Sequence, residues 1–320
     1  MIGNSTNSIN PINSTDLINP INPIKPMIDQ GKGLIGLSRL FSVLFILSLL
    51  LFPLAAMSED NSRLFKSLKQ KLIKDGFSAE KINVIFSSPT LVFEEDIASK
   101  FFMHREAKLN YKQFTTPESI ANAQNYLKAH NAALTKAQKI FGVDKTVITA
   151  IILVETRLGT IIGNSSILNT LSTLASLDNP VGRDFLWQRR LNSYYITREE
   201  FNEKAIRRSK WAYNELKAFL AYTAREKMNP AMIAGSYAGA LGIAQFMPSN
   251  ILLLGKDGDG DGIIDLCTHA DAIISIANYL KYYGWTPGIG RDKAYKVIYH
   301  YNHSSYYVNT VLTISDLLKG

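Results

Sequence analysis

One glutamate follows directly after an apolar run, where it could act as a proton donor. Residues 147–154 read Val-Ile-Thr-Ala-Ile-Ile-Leu-Val, and Glu155 is the next residue. A helix that is apolar nearly all round is expected to be buried. Apolar neighbours and the carboxyl end of a helix both disfavour negative charge, so we expect the pKa of Glu155 to be raised. A carboxylic acid that stays protonated near neutral pH can protonate a glycosidic oxygen.

The residue types also allow a structural role for this glutamate. Glu155 could pair with Arg157 or another arginine as a buried ion pair, and helix composition does not decide between the two roles. A conventional glycosidase uses two carboxyl groups. The acidic residues of the polar stretch that follows belong to no recognisable motif; these are Asp178, Asp184, Glu199 and Glu200.

A second group of oxygen ligands forms an acidic loop. Asp257, Asp259 and Asp261 hold the first, third and fifth positions of an EF-hand-like loop, and a glycine holds the sixth. The seventh position, Ile263, would contribute its backbone carbonyl, while Thr268 replaces the glutamate usual at the twelfth. Three carboxylates this close repel one another without a cation. Ligands that are all oxygen favour calcium over zinc, and we expect the ion to be structural.

The elements that must position these residues are predicted to be mainly α-helical. Apolar positions recur at three- and four-residue spacing, and alternating strand-like runs are scarce. The predicted helices are 62–75, 78–87, 118–141, 145–158, 210–227, 231–240, 270–283 and 291–301. Residues 178–206 are polar and break this pattern, which indicates an inserted lobe or a long loop.

The first 57 residues are predicted to be a leader outside the folded part. Residues 1–30 repeat Ile-Asn-Pro units with too little apolar content to pack. Residues 40–57 are uncharged and mostly apolar after a basic flank, which is typical of an export signal. We expect cleavage near 56–58, with a retained membrane anchor as the alternative. A start at Met27 would give a signal of conventional length.

Composition excludes several classes of protein. The 320 residues are 46% hydrophobic, enough to build a sizeable core, so most of the chain is not disordered. A single cysteine, Cys267, excludes an intramolecular disulfide and a cysteine-rich metal site. The net charge of +8 is compatible with binding to an anionic polymer or a membrane surface. The sequence contains no Lys/Arg run, so it does not indicate a nucleic-acid partner.

Four ordered stretches together resemble the membrane-bound lytic murein transglycosylase B family. They are 111–160 with its Val-Glu-Thr-Arg motif, 235–249, 257–280 and 301–308. The resemblance implies a lysozyme-like, mainly α fold with an EF-hand-like loop. It also implies a catalytic domain at 58–320, with 58–110 as its helical N-terminal part, in the periplasm or cell envelope.

The resemblance implies chemistry that needs only one carboxylate. Glu155 would protonate the MurNAc–GlcNAc bond of peptidoglycan and then, as a base, take the proton of the muramic acid C6 hydroxyl as that oxygen attacks the anomeric carbon. The product is a 1,6-anhydro sugar, and no cofactor is needed for catalysis. A hydrolytic muramidase, a catalytically silent peptidoglycan-binding scaffold and a calcium sensor are the alternatives.

The resemblance also implies which side chains contact the saccharide. The predicted contacts are Ser236, Tyr237, Gln245, Tyr301, Asn302, Tyr307 and Trp211. Trp211 stands where the family often has a tyrosine, so it could stack on a sugar but lacks the phenolic hydroxyl. Asp271 corresponds to the last carboxylate of the family's elongated metal loop. It could instead complete a capping box with Thr268 at the start of a helix.

Overall fold

The structure, a computed structural model, describes residues 61–103, 110–191 and 196–320. The predicted leader at 1–57, with its export signal and the alternative start at Met27, lies outside these ranges. Among the described helices, none is long and apolar enough to cross a membrane. All described residues belong to one compact unit.

Within the described ranges the chain is mainly α-helical, as predicted. The α-helices are α1 (61–74), α2 (Ala79–Phe86), α3 (Glu95–Met103), α4 (Pro117–Ala129), α5 (Asn131–Phe141), α6 (Lys145–Thr156), α7 (Ile167–Ser176), α8 (Pro180–Leu186), α9 (Arg198–Arg225), α10 (Pro248–Leu254), α11 (His269–Tyr282), α12 (Arg291–Tyr301) and α13 (Ser305–Lys319). Short 3₁₀ helices cover Tyr111–Phe114 and Pro230–Met232, and a π-helical turn covers Trp187–Leu191. Strands β1 (Ser165–Ser166) and β2 (Ala234–Gly235) pair antiparallel, with Ser165 opposite Gly235.

Most predicted helices occur close to their predicted positions, with three differences. The helix predicted at 210–227 begins earlier, because Thr197 and Glu200 form a capping box that starts α9 at Arg198. The helix predicted at 118–141 is divided at His130, which ends α4 and precedes α5. The helix predicted at 231–240 is wrong, because this segment forms part of a 3₁₀ turn, strand β2 and a tight loop. The chain doubles back so closely that a Cβ on Gly235 would lie 2.2 Å from the backbone oxygen of Ala240. Apolar spacing alone does not distinguish such a loop from a helix turn.

Helix α6 lies at the centre of the core. It packs against α4, α5, α11 and α13. Eight of its residues are buried, including every residue from Val147 to Leu153, as the apolar run predicts. The helix ends because Arg157 and Leu158 adopt left-handed backbone angles, with φ of 48° and 63°. This reversal leaves Glu155 in the last turn, at the edge of the core.

Helix α7 is absent from the sequence prediction, although all of its residues are buried. It packs along α9. Its apolar residues Ile167, Leu171 and Leu174 recur at three- and four-residue spacing, so the sequence carries an apolar face that the prediction omitted. Polar residues such as Thr170 and Ser172 are buried as well, which apolar spacing does not predict.

The polar segment 178–206 is largely helical, so it is not a long loop. It contains α8, the π-helical turn and the first residues of α9, while 192–195 lie outside the described residues. Phe201 packs edge-on against Phe102 of α3 and is stacked with Trp187. That the segment is an insertion remains a prediction.

A buried carboxylate joins α9 to α10. Glu215 of α9 is only 6% exposed. Its oxygens accept hydrogen bonds from the Ser249 backbone nitrogen at 2.9 Å and the Ser249 hydroxyl at 2.8 Å. Met247, the residue before α10, makes no capping hydrogen bond with its side chain. Glu215 therefore supplies the cap from another helix.

We expect Glu215→Ala to destabilise the fold by about 1–3 kcal/mol, because a buried backbone donor loses its partner. Chemical denaturation followed by circular dichroism measures this change. Glu203→Ala, at an exposed position of the same helix, is the matched control and should change stability by less than about 0.5 kcal/mol. Equal unfolding free energies for both variants would contradict the capping role.

Candidate active site and carboxylate loop

Glu155 lies at a small cavity formed by three distant parts of the chain. The cavity has a volume of about 220 Å³. Its lining residues are Glu155 and Val154 of α6, Tyr111, Gln113 and Phe114 of the 3₁₀ turn, and Asn302 and Tyr307 around the start of α13. Glu155 is half-buried, with its carboxylate at the end of a buried helix. A group of this kind can exchange a proton with a ligand in the cavity.

The pairing of Glu155 with Arg157 does not occur. The Arg157 guanidinium donates a hydrogen bond to the Gln113 side-chain oxygen and lies 5.5 Å from the centre of the Phe114 ring. The left-handed turn at Arg157 directs this side chain to the 3₁₀ turn at 111–114. Arg157 therefore helps to position one wall of the cavity.

Tyr307 holds the carboxylate of Glu155, the residue that the sequence predicts to be catalytic. Its hydroxyl donates a hydrogen bond to Glu155 Oε1 at 2.7 Å. Burial, and then the negative charge of Glu155, raise the pKa of Tyr307 well above its ordinary value. The phenol therefore remains protonated and acts as the donor. A tyrosine that is 2% exposed can restrict the position of the carboxylate in this way.

Tyr301 supports Tyr307 from the end of α12. The two rings are parallel, 6.4 Å apart between centroids. The Tyr301 hydroxyl donates to the backbone oxygen of Ala244 at 2.5 Å, next to Gln245. Burial, followed by the charge of Glu155, raises the pKa of Tyr301 well above its ordinary value. Tyr301 therefore joins the tyrosine that contacts Glu155 to the loop that carries Gln245.

Ser236 and Gln245 lie at the two ends of one tight loop. The Ser236 hydroxyl oxygen accepts hydrogen bonds from the backbone nitrogens of Ala238 and Ala240, at 3.3 Å and 3.0 Å. Gln245 has a left-handed φ of 50°, and its side-chain nitrogen donates to the backbone oxygens of Ile162 and Gly242. Both amide hydrogens are thereby used, so the carboxamide oxygen is the part of Gln245 that can accept a bond from a ligand. Tyr237 is half-buried in the same loop.

Of the predicted saccharide contacts, only Asn302 and Tyr307 line the cavity, and the others lie outside its lining; these are Ser236, Tyr237, Gln245, Tyr301 and Trp211. Asn302, between α12 and α13, lines the cavity. Trp211 does not line it, because its ring is stacked on Phe101 of α3, with centroids 5.8 Å apart and planes inclined by 13°. Tyr111, Gln113 and Phe114 line the cavity as well, but no role for them is predicted from the sequence. The run Tyr-Lys-Gln-Phe at 111–114 begins the first family-like stretch. Its two aromatic residues, Tyr111 and Phe114, were the available signal for a wall of the site.

One side-chain and one backbone hydrogen bond connect the Glu155 helix to the acidic loop. The hydroxyl of Thr156 donates to the backbone oxygen of Ile243 at 3.1 Å. The Ile243 backbone nitrogen donates in turn to the backbone oxygen of Leu266 at 2.8 Å. A Cβ on Gly242 would lie 2.4 Å from that same Leu266 oxygen, so this approach requires glycine. The end of α6, the Gln245 loop and the acidic loop are thus held together.

Three carboxylates converge in the acidic loop. One oxygen from each of Asp257, Asp259 and Asp271 lies within 4.8 Å of the other two. Asp257 accepts backbone hydrogen bonds from Gly260 at 2.6 Å and Gly262 at 2.9 Å, and these bonds lower its pKa. The set consists of oxygen donors only, which fits a hard cation such as calcium.

The other two predicted ligands lie outside this group of three. Asp261 accepts a hydrogen bond from the backbone nitrogen of Ile263 at 2.7 Å, and both residues are exposed. Their assignment as ligands therefore stays a prediction.

Asp271 does not form a capping box. Thr268 caps α11 by accepting from the Asp271 backbone nitrogen. The Asp271 carboxylate instead accepts from the backbone nitrogens of Gly258 and Asp265, both at 2.7 Å. It is 1% exposed, and burial is the main cause that raises its pKa. Asp271 therefore joins the two ends of the acidic loop.

Comparison with known proteins gives consistent matches. Residues 60–293 match the model of the family described as Transglycosylase SLT domain. Membrane-bound lytic murein transglycosylase B of Escherichia coli K12 is 35% identical over 177 residues, which are 55% of this chain and 42% of that protein. The match thus spans less than half the length of this relative.

Solved structures confirm the mainly α, lysozyme-like transglycosylase fold. The Escherichia coli lytic transglycosylase Slt35 in complex with bulgecin A has a TM-score of 0.63 and 24% identity, over 81% of this chain and 92% of that chain. The same protein is also known in complex with calcium. SltB3 of Pseudomonas aeruginosa in complex with NAG-anhNAM-pentapeptide has a TM-score of 0.65 and 20% identity, over 81% and 80%.

We expect Tyr307 to keep its proton when the pH is raised through 10, where a tyrosine of ordinary pKa is half ionised. Nuclear magnetic resonance of tyrosines labelled at Cζ measures this, with Tyr307→Phe assigning the signal. Glu155→Gln should lower the pKa of Tyr307, because the negative charge that raises it is removed. Glu80→Gln, which changes an exposed acid of α2, should leave it unchanged. Half-ionisation of Tyr307 near pH 10 in the parent would contradict the raised pKa, and with it the effect of burial and of the Glu155 charge on this phenol.

Proposed function

The chain belongs to the Transglycosylase SLT domain family, and on that premise we propose that it is a lytic transglycosylase of peptidoglycan. It cleaves MurNAc–GlcNAc bonds without water and leaves 1,6-anhydro-MurNAc ends. The observation that carries this proposal is the Glu155 carboxylate, held by Tyr307 in a cavity at the end of a buried helix. The E. coli relative is named a lytic murein transglycosylase, which supports the same activity.

In the first step Glu155 acts as the general acid. Its proton passes to the oxygen that links MurNAc C1 to the next sugar, and the C1–O bond breaks with its electron pair on the leaving oxygen. Positive charge develops on the MurNAc ring, and the carboxylate left behind is the negative group nearest to it. The hydrogen bond from Tyr307 keeps that carboxylate aimed into the cavity.

In the second step the same carboxylate acts as the base. The C6 hydroxyl of MurNAc attacks C1, a new C1–O6 bond forms, and the hydroxyl proton passes to Glu155. The acid is thereby regenerated, so the atoms balance without water or a cofactor. One carboxylate suffices because the two proton transfers occur in sequence.

We assign the remaining predicted contacts to saccharide binding. Asn302 lies in the cavity and Gln245 presents an acceptor oxygen, so both suit the hydroxyl and acetamido groups of the sugar. Ser236 and Tyr301 also hold the loop at 236–245, Ser236 through its bond to Ala240 and Tyr301 through its bond to Ala244. Tyr237 is proposed as a contact from the same loop. Trp211 would offer a sugar only one face of its ring, because Phe101 covers the other.

The substrate would place the protein outside the cytoplasm. We propose export directed by residues 40–57, to the periplasm or cell envelope, with cleavage or retention as a membrane anchor. The E. coli relative is named as membrane-bound, which supports an envelope location.

Glu155→Gln should retain glycan binding and lose about 10³-fold or more in turnover, because one group performs both proton transfers. Mass spectrometry of digested sacculi measures this activity and identifies products that lack one water. Glu199→Gln, at an exposed site of α9, is the control and should cleave like the parent.

Three other outcomes have distinct meanings. Hydrated reducing ends would identify a hydrolytic muramidase instead. Binding of glycan without cleavage by the parent would identify a silent scaffold. Substantial turnover by Glu155→Gln would remove this residue from the acid role.

We further propose a structural calcium ion in the acidic loop. Asp257, Asp259 and Asp271 would supply carboxylate oxygens, with Asp261 and the Ile263 backbone carbonyl completing the set after local rearrangement. The ion would offset repulsion among the carboxylates. It would also fix the acidic loop, whose end at Leu266 accepts a backbone hydrogen bond from Ile243. The calcium complex of the E. coli relative Slt35 supports this proposal.

Calcium should raise the melting temperature of the parent, because an ion that binds only the folded state stabilises it. Asp257→Asn combined with Asp259→Asn should abolish this rise, as measured by scanning calorimetry with calcium or with chelator. Asp292→Asn, an exposed acid of α12, should keep the full calcium response. A parent that melts at the same temperature in calcium and in chelator does not bind the ion.

A further inference from the structure

A second groove lies beside the Glu155 cavity, between α12 and the start of α13. Its volume is about 770 Å³, more than three times that of the cavity. It is lined mainly by Tyr295, Lys296, Tyr299, His300, His303 and Tyr306. None of these residues belongs to the predicted active site.

The groove presents flat aromatic faces to solvent. Tyr295 and Tyr299, one helical turn apart, have nearly parallel rings with centroids 6.3 Å apart, and His303 packs edge-on against Tyr299 at 5.1 Å. Tyr299 is 38% exposed and Tyr306 is 62% exposed. Among the exposed large hydrophobic side chains of the described residues there are three tyrosines, and only Tyr282 lies outside this groove. Exposed apolar surface concentrated in a groove indicates a binding site.

The polar groups of the groove suit a saccharide. Lys296, His303 and Ser305 are exposed, so their donors can reach the hydroxyl and carbonyl oxygens of a sugar. A pyranose ring offers apolar C–H faces and polar edges. Tyrosine matches both, because it combines an apolar face with a hydroxyl.

The groove adjoins the Glu155 cavity, and one aromatic pair links their walls. The Tyr306 ring lies parallel to that of Tyr111, with centroids 6.5 Å apart, and Tyr111 lines the cavity. Asn302 and Tyr307 line the cavity, while their chain neighbours His303 and Tyr306 line the groove. A polymer that leaves the cavity can therefore pass over the Tyr111–Tyr306 pair into the groove.

The size of the cavity also calls for additional contacts. At about 220 Å³ it is smaller than the roughly 300–1,000 Å³ of pockets that hold drug-sized ligands. Such a space accommodates about one sugar unit. A glycan strand must then gain further binding energy outside the cavity.

We infer that this groove binds additional saccharide units of the glycan strand, with Tyr299 and Tyr306 as stacking faces. The inference rests on the proposed function of the Glu155 site. It assigns the enzyme a preference for long strands over short fragments, set by residues remote from the reacting bond.

The test compares two glycans that lack peptide stems. One is a tetrasaccharide with a single MurNAc–GlcNAc bond, and the other is a strand of about twelve sugars. In full-length protein, Tyr299→Ala should lower kcat/KM for the long strand about 10-fold, the order expected for a lost aromatic contact, and change that for the tetrasaccharide less than twofold. Tyr299→Phe keeps the ring and should behave like the parent.

A matched control and a binding measurement complete the design. Tyr282→Ala removes a tyrosine that is 59% exposed outside the groove, and should leave the length preference intact. In the Glu155→Gln background, calorimetry should show that Tyr299→Ala weakens binding of the long strand about 10-fold but not that of the tetrasaccharide.

The outcomes separate this inference from the proposed function. If the parent cleaves both glycans and Tyr299→Ala has an unchanged length preference, the groove inference is overturned and the proposed function stands. An equal loss on both glycans also overturns it, because it shows damage to the central site. A parent that cleaves neither glycan overturns the inference, and one that also leaves sacculi uncleaved refutes the proposed function as well.

Discussion

The hydrogen bond between Tyr307 and Glu155 depends on a helix that is buried on every side. Helix α6 is enclosed by α4, α5, α11 and α13, so its axis cannot shift without opening the core. Its last turn delivers a carboxylate to the edge of that core, and the left-handed residues at 157 and 158 end the helix there. Helix α13, packed along α6, brings the tyrosine hydroxyl to within 2.7 Å of the carboxylate. Rigid packing thus supplies the orientation that the proposed proton transfer requires.

Hydrogen bonds extend this rigid arrangement to the loops around the site. Thr156, next to Glu155, bonds to Ile243, and Ile243 bonds to Leu266 at the end of the acidic loop. Tyr301 reaches the same loop from the other side through Ala244. A loop with a non-glycine residue at positive φ is strained, and surrounding contacts must hold it in place. The acidic loop is one of these contacts, so a cation there would stabilise the position of Gln245 without touching it.

The long helix α9 has a supporting role. It packs along α7, and its Glu215 caps α10 directly after the Gln245 loop. Its Trp211 stacks on Phe101, and its Phe201 packs on Trp187 and Phe102. The aromatic residues of this region therefore hold the polar segment 178–206 against the rest of the fold. A tryptophan used for packing on one face has less surface to offer a sugar.

The sequence by itself determined the local features. The apolar run at 147–154 specified a buried helix and placed Glu155 at its end, and the spacing of Asp257 and Asp259 specified a carboxylate loop, because both patterns act over a few residues. Only the tertiary structure decided which side chains meet. Tyr307 lies 152 residues from Glu155 along the chain, and the turn at 111–114 forms a third wall of the cavity. Apolar spacing at 231–240 predicted a helix, yet close backbone approach at Gly235 imposed a loop. Such contacts arise from packing between distant elements, which no local pattern encodes.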